Sequence, residues 1–205
     1  MRNKYTIVDE NPSLFWKEAA GALGGEFITK QQEQHFGSYK YDLHILKIVK
    51  PYRGINIELN SCYLHTPDIP SEYHLDDLRV ESFIPDQASF RLFIFTKSVY
   101  DKVFWLNKPR SGYKDFDNVI GFETNRMWEV RKLFANEAVR DLIQNDFYSL
   151  FSVRYENEVM MVKNQSTQVI LDKEVLLAEY GKFTLFVDGL METKLIKGIK
   201  PVVES

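Results

Sequence analysis

The sequence predicts an α+β domain: a largely antiparallel, twisted sheet with helices packed mainly on one face. Three observations carry that expectation. Apolar and polar residues alternate in short runs such as "GINIELNSCYL" (54–64), the spacing of strands with one wet face. Turn residues punctuate the connections between them, as Pro51 and Gly54 do in "KPYRG", so the runs are expected to pair as hairpins. Helical spacing of apolar residues appears instead near the start, in the middle and at the end of the chain.

The totals are those of a globular chain. A length of 205 residues suits a single domain spanning 1–205, with 44% hydrophobic and 27% charged residues. Two loose halves, 11–97 and 115–192, are compatible with the element order, but no sequence repeat asserts a duplication. Fifteen Phe, eleven Tyr and three Trp predict an aromatic-rich core. A net charge of −3 and a pI near 5.9 argue against a general nucleic-acid binder, whose affinity rests on neutralising phosphates. Cys62 is the single cysteine, so neither an internal disulfide nor a cysteine zinc cage is expected. The start, "MRNKYTIVDENPS", has no run apolar enough for a signal peptide, and no stretch approaches a membrane span. The cytoplasm is the expected compartment.

The first helix is expected within "NPSLFWKEAAGALGGEF" (11–27). Asn11 or Ser13 supplies a cap, Pro12 suits the first turn, and Leu14, Phe15, Ala19, Ala22 and Leu23 form the apolar stripe. Gly24 and Gly25 stop it; helix followed by glycines is the reverse of a phosphate loop's order. Residues 31–40, "QQEQHFGSYK", read as a polar loop. The runs 41–49 and 54–64 read as an antiparallel hairpin, with Ile55, Ile57, Leu59, Ser61 and Tyr63 facing the core. Residues 65–77 form a loop, 78–84 and 89–97 are strands, 99–117 is hydrophobic but irregular, and 118–125 is a strand.

In the middle of the chain the stripe Met127, Val130, Leu133, Phe134 slips phase against Val139, Leu142, Ile143. Asn136 followed by Glu137 has the form of a helix start, an acceptor and then an acid at the dipole's positive end. Two short helices, 126–134 and 137–144, joined by a kink at Ala135-Asn136, are therefore expected. Residues 147–164 read as a hairpin, 167–171 as an extended segment. A last helix capped by Asp172 carries Leu176, Leu177, Tyr180, Phe183, Val187, Leu190 and Met191 at helical spacing. Gly181 and Gly189 weaken it and mark places for a bend. The tail, 193–205, is expected to be mobile.

Several of these elements carry a resemblance. Gly24, Gly25 and Phe27 end the first helix; Phe116 and Asp117 precede a Leu-Phe-x-Asn-x-x-Val-Arg-x-Leu-Ile element made of Leu133, Phe134, Asn136, Val139, Arg140, Leu142 and Ile143. In these segments the chain resembles a group of uncharacterised bacterial proteins. The resemblance implies the fold order and implies no activity, because each matched residue has a packing or capping reason.

Motifs for chemistry are sparse. No nucleophile elbow, Walker loop, dinucleotide fingerprint or His-Glu-x-x-His is present, and no cofactor is expected. The best metal-like cluster is His65, Asp68, Glu72, His74, Asp76 and Asp77, ligand types that suit hard or borderline cations, although their spacing matches no metal motif. Cys62 with His44 across the hairpin is a conceivable nucleophile and base, against the simpler reading of a small strand filler. Asp115 and Asp117 read as turn-setting carboxylates. In "VYDKVFWLNKPRSGYK" (99–114), aromatic groups stand beside basic ones, as in partner-binding hot spots. Phe104, Trp105, Arg110 and Tyr113 are the expected interaction residues, the alternative being that Phe104 and Leu106 are core. Function thus reads as a cytoplasmic protein-binding module with another protein as partner, no nucleic acid and no integral membrane segment. A hydrolase or metal-dependent enzyme using loop 65–77 with Cys62 or His44 is the competing reading. Neither the partner nor the oligomeric state is legible.

Overall fold

A computed structural model describes residues 13–36, 39–65, 77–82, 90–98, 109–145, 149–156, 159–166 and 172–197. Helix α1 (Ser13–Leu23) leads into β1 (Glu26–Phe36), β2 (Tyr39–Tyr52), β3 (Ile55–His65) and β4 (Asp77–Ser82). Next come β5 (Leu92–Thr96), a short helix α2 (Lys114–Val119) and β6 (Ile120–Thr124). Helices α3 (Met127–Ala135) and α4 (Glu137–Asn145), strands β7 (Ser149–Glu156) and β8 (Val159–Ser166), and helix α5 (Lys173–Glu192) complete the order. The strands form one eight-stranded sheet, β1-β2-β3-β4-β8-β7-β5-β6, antiparallel at every pairing. The α+β expectation holds.

The register explains why the helices gather on one face. A single row of paired positions crosses the whole sheet: Phe27, Ile48, Leu59, Leu78, Asn164, Phe151, Ile94, Phe122. Positions directly opposite each other share a face, and all but one of these residues are apolar. Ile48, Leu59, Phe151, Ile94 and Phe122 are buried. Helices stand on this row: Phe186 of α5 meets Phe151 with ring centroids 4.7 Å apart, and Phe134 of α3 meets Phe122 at 4.9 Å. The adjacent row, one residue along, reads Glu26, Val49, Glu58, Arg79, Lys163, Ser152, Phe93, Glu123 and is mostly polar.

Local expectations fare unevenly. Gly24 ends α1 at φ 64, with its own N–H donating to Gly21 O and the Gly25 N–H to Ala20 O at 2.8 Å, a left-handed C-terminal cap. The stripe of α1 needs correction. Trp16, Ala19 and Ala20 are buried, whereas Leu14 is 53% exposed and Ala22 is also exposed. Trp16 decides the phase, since a side chain of its area gains more from burial than Leu14 does. Residues 31–40, read as a loop, are strand: β1 runs to Phe36 and β2 begins at Tyr39. The misreading has a physical cause. β1 is an edge strand, and Lys30, Gln31, Gln32 and Glu33 are all exposed, so no apolar alternation marks it; polar edges of this kind also discourage pairing with other chains.

The β2–β3 hairpin forms as expected, with Ile55, Ile57, Leu59 and Ser61 buried. Its turn is tighter than the "KPYRG" reading, because β2 continues through Tyr52. Arg53 and Gly54 alone make the turn, at φ 47 and 80, the positive pair that suits a right-twisted two-residue hairpin. The irregular reading of 99–117 fails at its described end, where Lys114–Val119 is helical. β5, placed with the first loose half by sequence, pairs with β6 and β7 of the second.

The kink in the middle of the chain is present. α3 ends at Ala135, Asn136 is extended at φ −72 and ψ 114, and its Oδ1 accepts a long hydrogen bond from Val139 N at 3.4 Å. Asp172 caps α5 by accepting from Val175 N at 3.0 Å. α5 runs uninterrupted past both of its glycines. Gly189 has a packing reason: a Cβ there would lie 2.9 Å from Leu133 of α3 and 2.9 Å from Val139 of α4. Residues 11–12, 66–76, 83–89, 99–108, 167–171 and 198–205, with the expectations that rest on them, lie outside the described residues.

Two stability predictions arise from this packing. Gly189→Ala is expected to lower stability by ~1–2 kcal/mol, since overpacking a tight core outweighs the gain in helix propensity. A Cβ on Gly181 would meet nothing within 4 Å, so Gly181→Ala should raise stability by about 0.5–1 kcal/mol. Urea unfolding of both variants checks the pair; shifts of the same sign would mean that contact with α3 and α4 is not what selects Gly189. The second concerns Asn164, which is 0% exposed in the apolar row, with neither amide atom hydrogen-bonded among the described residues. Asn164→Val should therefore stabilise the fold by ~1–3 kcal/mol, the usual penalty of an unsatisfied buried polar group. A lower melting temperature in this variant would show that the amide is paired after all.

Candidate interaction surface

The surface begins with a pinned turn. Ser111 donates to Asp117 Oδ1 through both its N–H and its hydroxyl at 2.8 Å, and Gly112 N–H donates to Oδ2 at 3.2 Å. Asp117 thus sets a turn, as the sequence suggested, and fixes residues 111–113 against α2. Tyr113 leaves this turn 38% exposed. The guanidinium of Arg140, from α4, lies over the Tyr113 ring at 3.9 Å from its centroid. Its Nη1 also donates to the carbonyls of Phe134 and Ala135, satisfying the C-terminal end of α3. One arginine therefore ties α3, α4 and the turn together.

The surface continues along α3. Arg131 Nε donates to the carbonyl of Arg110 at 3.3 Å, and Lys132 Nζ lies 5.4 Å from the ring centroid of Trp128. Trp128 is 68% exposed, the most of any large apolar side chain among the described residues. Two aromatic faces, Trp128 and Tyr113, thus stand among the cations Lys132, Arg131, Arg110 and Arg140. Such groups bury much area with few rotatable bonds, and Trp, Tyr and Arg dominate hot spots for that reason.

Of the sequence-expected interaction residues, Arg110 and Tyr113 stand on this surface, while Phe104 and Trp105 lie outside the described residues. Trp128 was missed, and Arg140 was read as a structural residue of the Leu-Phe-x-Asn-x-x-Val-Arg element without its stack on Tyr113. Trp128 carried a readable signal: it falls off the stripe Met127, Val130, Leu133, Phe134, so a helix that buries the stripe must expose it. Arg140 carried none, because its partners are brought together only by the kink.

The nucleophile pairing is contradicted by the register. His44 is opposite Tyr63 and Cys62 is opposite Ile45, so His44 and Cys62 project to opposite faces of the sheet. The side chains of the metal-like cluster, His65, Asp68, Glu72, His74, Asp76 and Asp77, lie outside the description. Among the described residues no group of three or more His, Cys, Asp or Glu is placed to hold a metal ion.

A second polar cluster joins the β2–β3 turn to α5. The Tyr52 hydroxyl lies 2.9 and 2.8 Å from the two carboxylate oxygens of Asp188, and Arg53 forms an ion pair with Asp188 at 3.1 Å. Burial and then the hydrogen bond to Asp188 push the Tyr52 phenol from its ordinary 10.0 up to about 12. Tyr180 is raised as well, by burial and then by the Asp188 charge. Tyr52, Arg53 and Asp188 satisfy one another, so the cluster is a tether between sheet and helix.

Compared with known proteins, the chain matches no family model, no curated protein and no solved structure. No described helix is long and apolar enough to cross a membrane.

The tether predicts an alkaline transition. The protonated phenol is favoured in the folded state, so its contribution is whole below pH 10.0 and fades as pH rises toward about 12. Tyr52→Phe, which keeps the ring and removes the hydroxyl, should be less stable at neutral pH and lose less stability between those limits. Urea midpoints of both proteins across that range check this; parallel pH profiles would show that Tyr52 does not contribute to the pH dependence.

Proposed function

We propose that the protein is a protein-binding module that makes contact through Trp128, Lys132, Arg131, Arg110, Tyr113 and Arg140. The observation that carries this reading is the 68% exposure of Trp128 beside the exposed cations Arg131 and Lys132 of α3. A solvated helix face gains nothing from a tryptophan, whereas a partner that covers it buries a large apolar area already held in place. The structural alternative, that Lys132 merely shields Trp128, leaves the indole mostly in water. The enzyme reading loses its Cys62–His44 pair, because the two stand on opposite faces of the sheet. The protein's single cysteine fits a reducing cytoplasm, the compartment we propose, and its partner is another polypeptide.

A photo-reactive amino acid placed at position 132 in cells of the source organism tests the proposal. The surface predicts one discrete, heavier adduct from position 132 and none from position 32, which is exposed on β1. No adduct from 132, or the same smear of products from both, overturns it.

A further inference from the structure

Among the described residues the sheet ends in two edges, β6 with five residues and β1 with eleven. β1 pairs with β2 at eleven consecutive positions, without a bulge or a proline, so its outer side presents a regular ladder of peptide groups. Residues 30–33 are polar and exposed on both faces, which discourages indiscriminate pairing. From Glu26 to Lys30 the strand carries instead a pattern that matches itself. Glu26, Ile28 and Lys30 point to the face away from the helices, and all three are exposed, Ile28 by 37%. The β2 residues opposite the two charges are Val49 and Ile45, which offer neither of them a partner, while Lys47, opposite Ile28, is held by Glu58 at 3.1 Å. Glu26 and Lys30 lie about 13 Å apart along the strand, too far to pair with each other.

We propose that β1 is a docking edge for a second copy of the chain, each β1 pairing antiparallel with the other about a twofold axis through Ile28. The inference concerns a surface distinct from that of Trp128 and does not depend on it. Directly opposed residues of an antiparallel pair turn their peptide groups the same way, both toward the neighbouring strand or both away from it. That direction alternates along a strand, so a strand pairs with its own copy about a residue and never about a peptide bond. Among the residues of β1, Ile28 is the one centre that sets an ammonium opposite a carboxylate. Glu26 then faces Lys30 of the other copy, Ile28 faces Ile28, and Lys30 faces Glu26. Centring on Lys30 or on Glu33 sets that charge against itself, and centring on Thr29 sets Lys30 against Ile28. Opposite charges directly across an antiparallel pair stabilise it and like charges destabilise it, so charge selects the Ile28 register. The contact is isologous, as a twofold interface requires, and it gives the open peptide groups of the edge a partner.

Sedimentation velocity of the purified chain, from about 1 to 500 µM, reads the result. A monomer–dimer equilibrium is expected. Lys30→Glu or Glu26→Lys alone should weaken it at least about tenfold, since each sets two pairs of like charges across the axis. Both side chains are exposed, so neither change should alter the circular dichroism spectrum. Two arms fix the register. A chain carrying Glu26→Lys together with Lys30→Glu should dimerise as the wild type does, because the pattern again matches itself. An equimolar mixture of the two single variants should form a heterodimer, because two carboxylates then face two ammonium groups. Trp128→Ala should leave the dimer unchanged. A wild type that stays monomeric at every concentration overturns the proposal, as does a dimer indifferent to the single reversals. So does a double reversal or a mixture that fails to pair, or a dimer lost with Trp128→Ala. The position-132 adduct reports on the other surface, so the two readings fail separately.

Discussion

One constraint organises the molecule: a row of paired positions crossing eight strands is apolar except at Asn164, and water must be kept from it. No single helix covers so wide a face, so several are recruited. α5 holds Phe151 of β7 through Phe186 and reaches β2 through Asp188 and Tyr52. α3 covers Phe122 near the far edge, and α1 contributes Trp16, Ala19 and Ala20. The pairing of β4 with β8 makes this face continuous, joining the early meander to the later strands. Without that seam each part would expose its own apolar flank.

The kink at Asn136 follows from the same need. A straight helix through residues 127–145 would carry Val130, Leu133 and Phe134 on one side and swing Val139 and Ile143 away from it. Breaking at Asn136 lets both stripes face α5, and Gly189 supplies the room by presenting no side chain to Leu133 and Val139. The break exposes carbonyls that a continuous helix would have satisfied. Arg140 closes that gap at Phe134 and Ala135, and its remaining face lies on Tyr113. A packing problem in the core thus produces an arginine–aromatic stack at the surface.

Much of the architecture was legible because it depends on local patterns. The phase slip across Asn136, the Gly24 stop, the Asp172 cap and the alternation from Ile55 to Ser61 each record one physical demand in a few neighbouring residues. The failures share the opposite property. β1 alternates nothing, since an edge strand with polar residues on both sides leaves no periodic mark. The α1 stripe was assigned with Leu14 instead of Trp16, because spacing alone does not weigh the area each side chain buries. Of the surface we propose, Arg110 and Tyr113 stood out by composition, and Trp128 is visible once its helix's buried side is known. Arg140 needed the kink in three dimensions. So did the separation of Cys62 from His44, which hangs on a one-residue difference in register that their spacing conceals.

Where the charges fall bears on why the outer surface has this form. Buried sides of α3 and α4 are fixed by α5, which leaves only their outward sides free to vary. On those sides a soluble monomer is best served by mixed charges, since interspersed signs keep helices solvated and avoid self-attraction. The signs are mixed in that way: Glu129 stands with Arg131 and Lys132 on α3, and Arg140 between Glu137 and Asp141 on α4. Trp128 is what this mixture leaves without a packing reason: an indole 68% exposed on α3, which neither burial against α5 nor solvation of the helix requires.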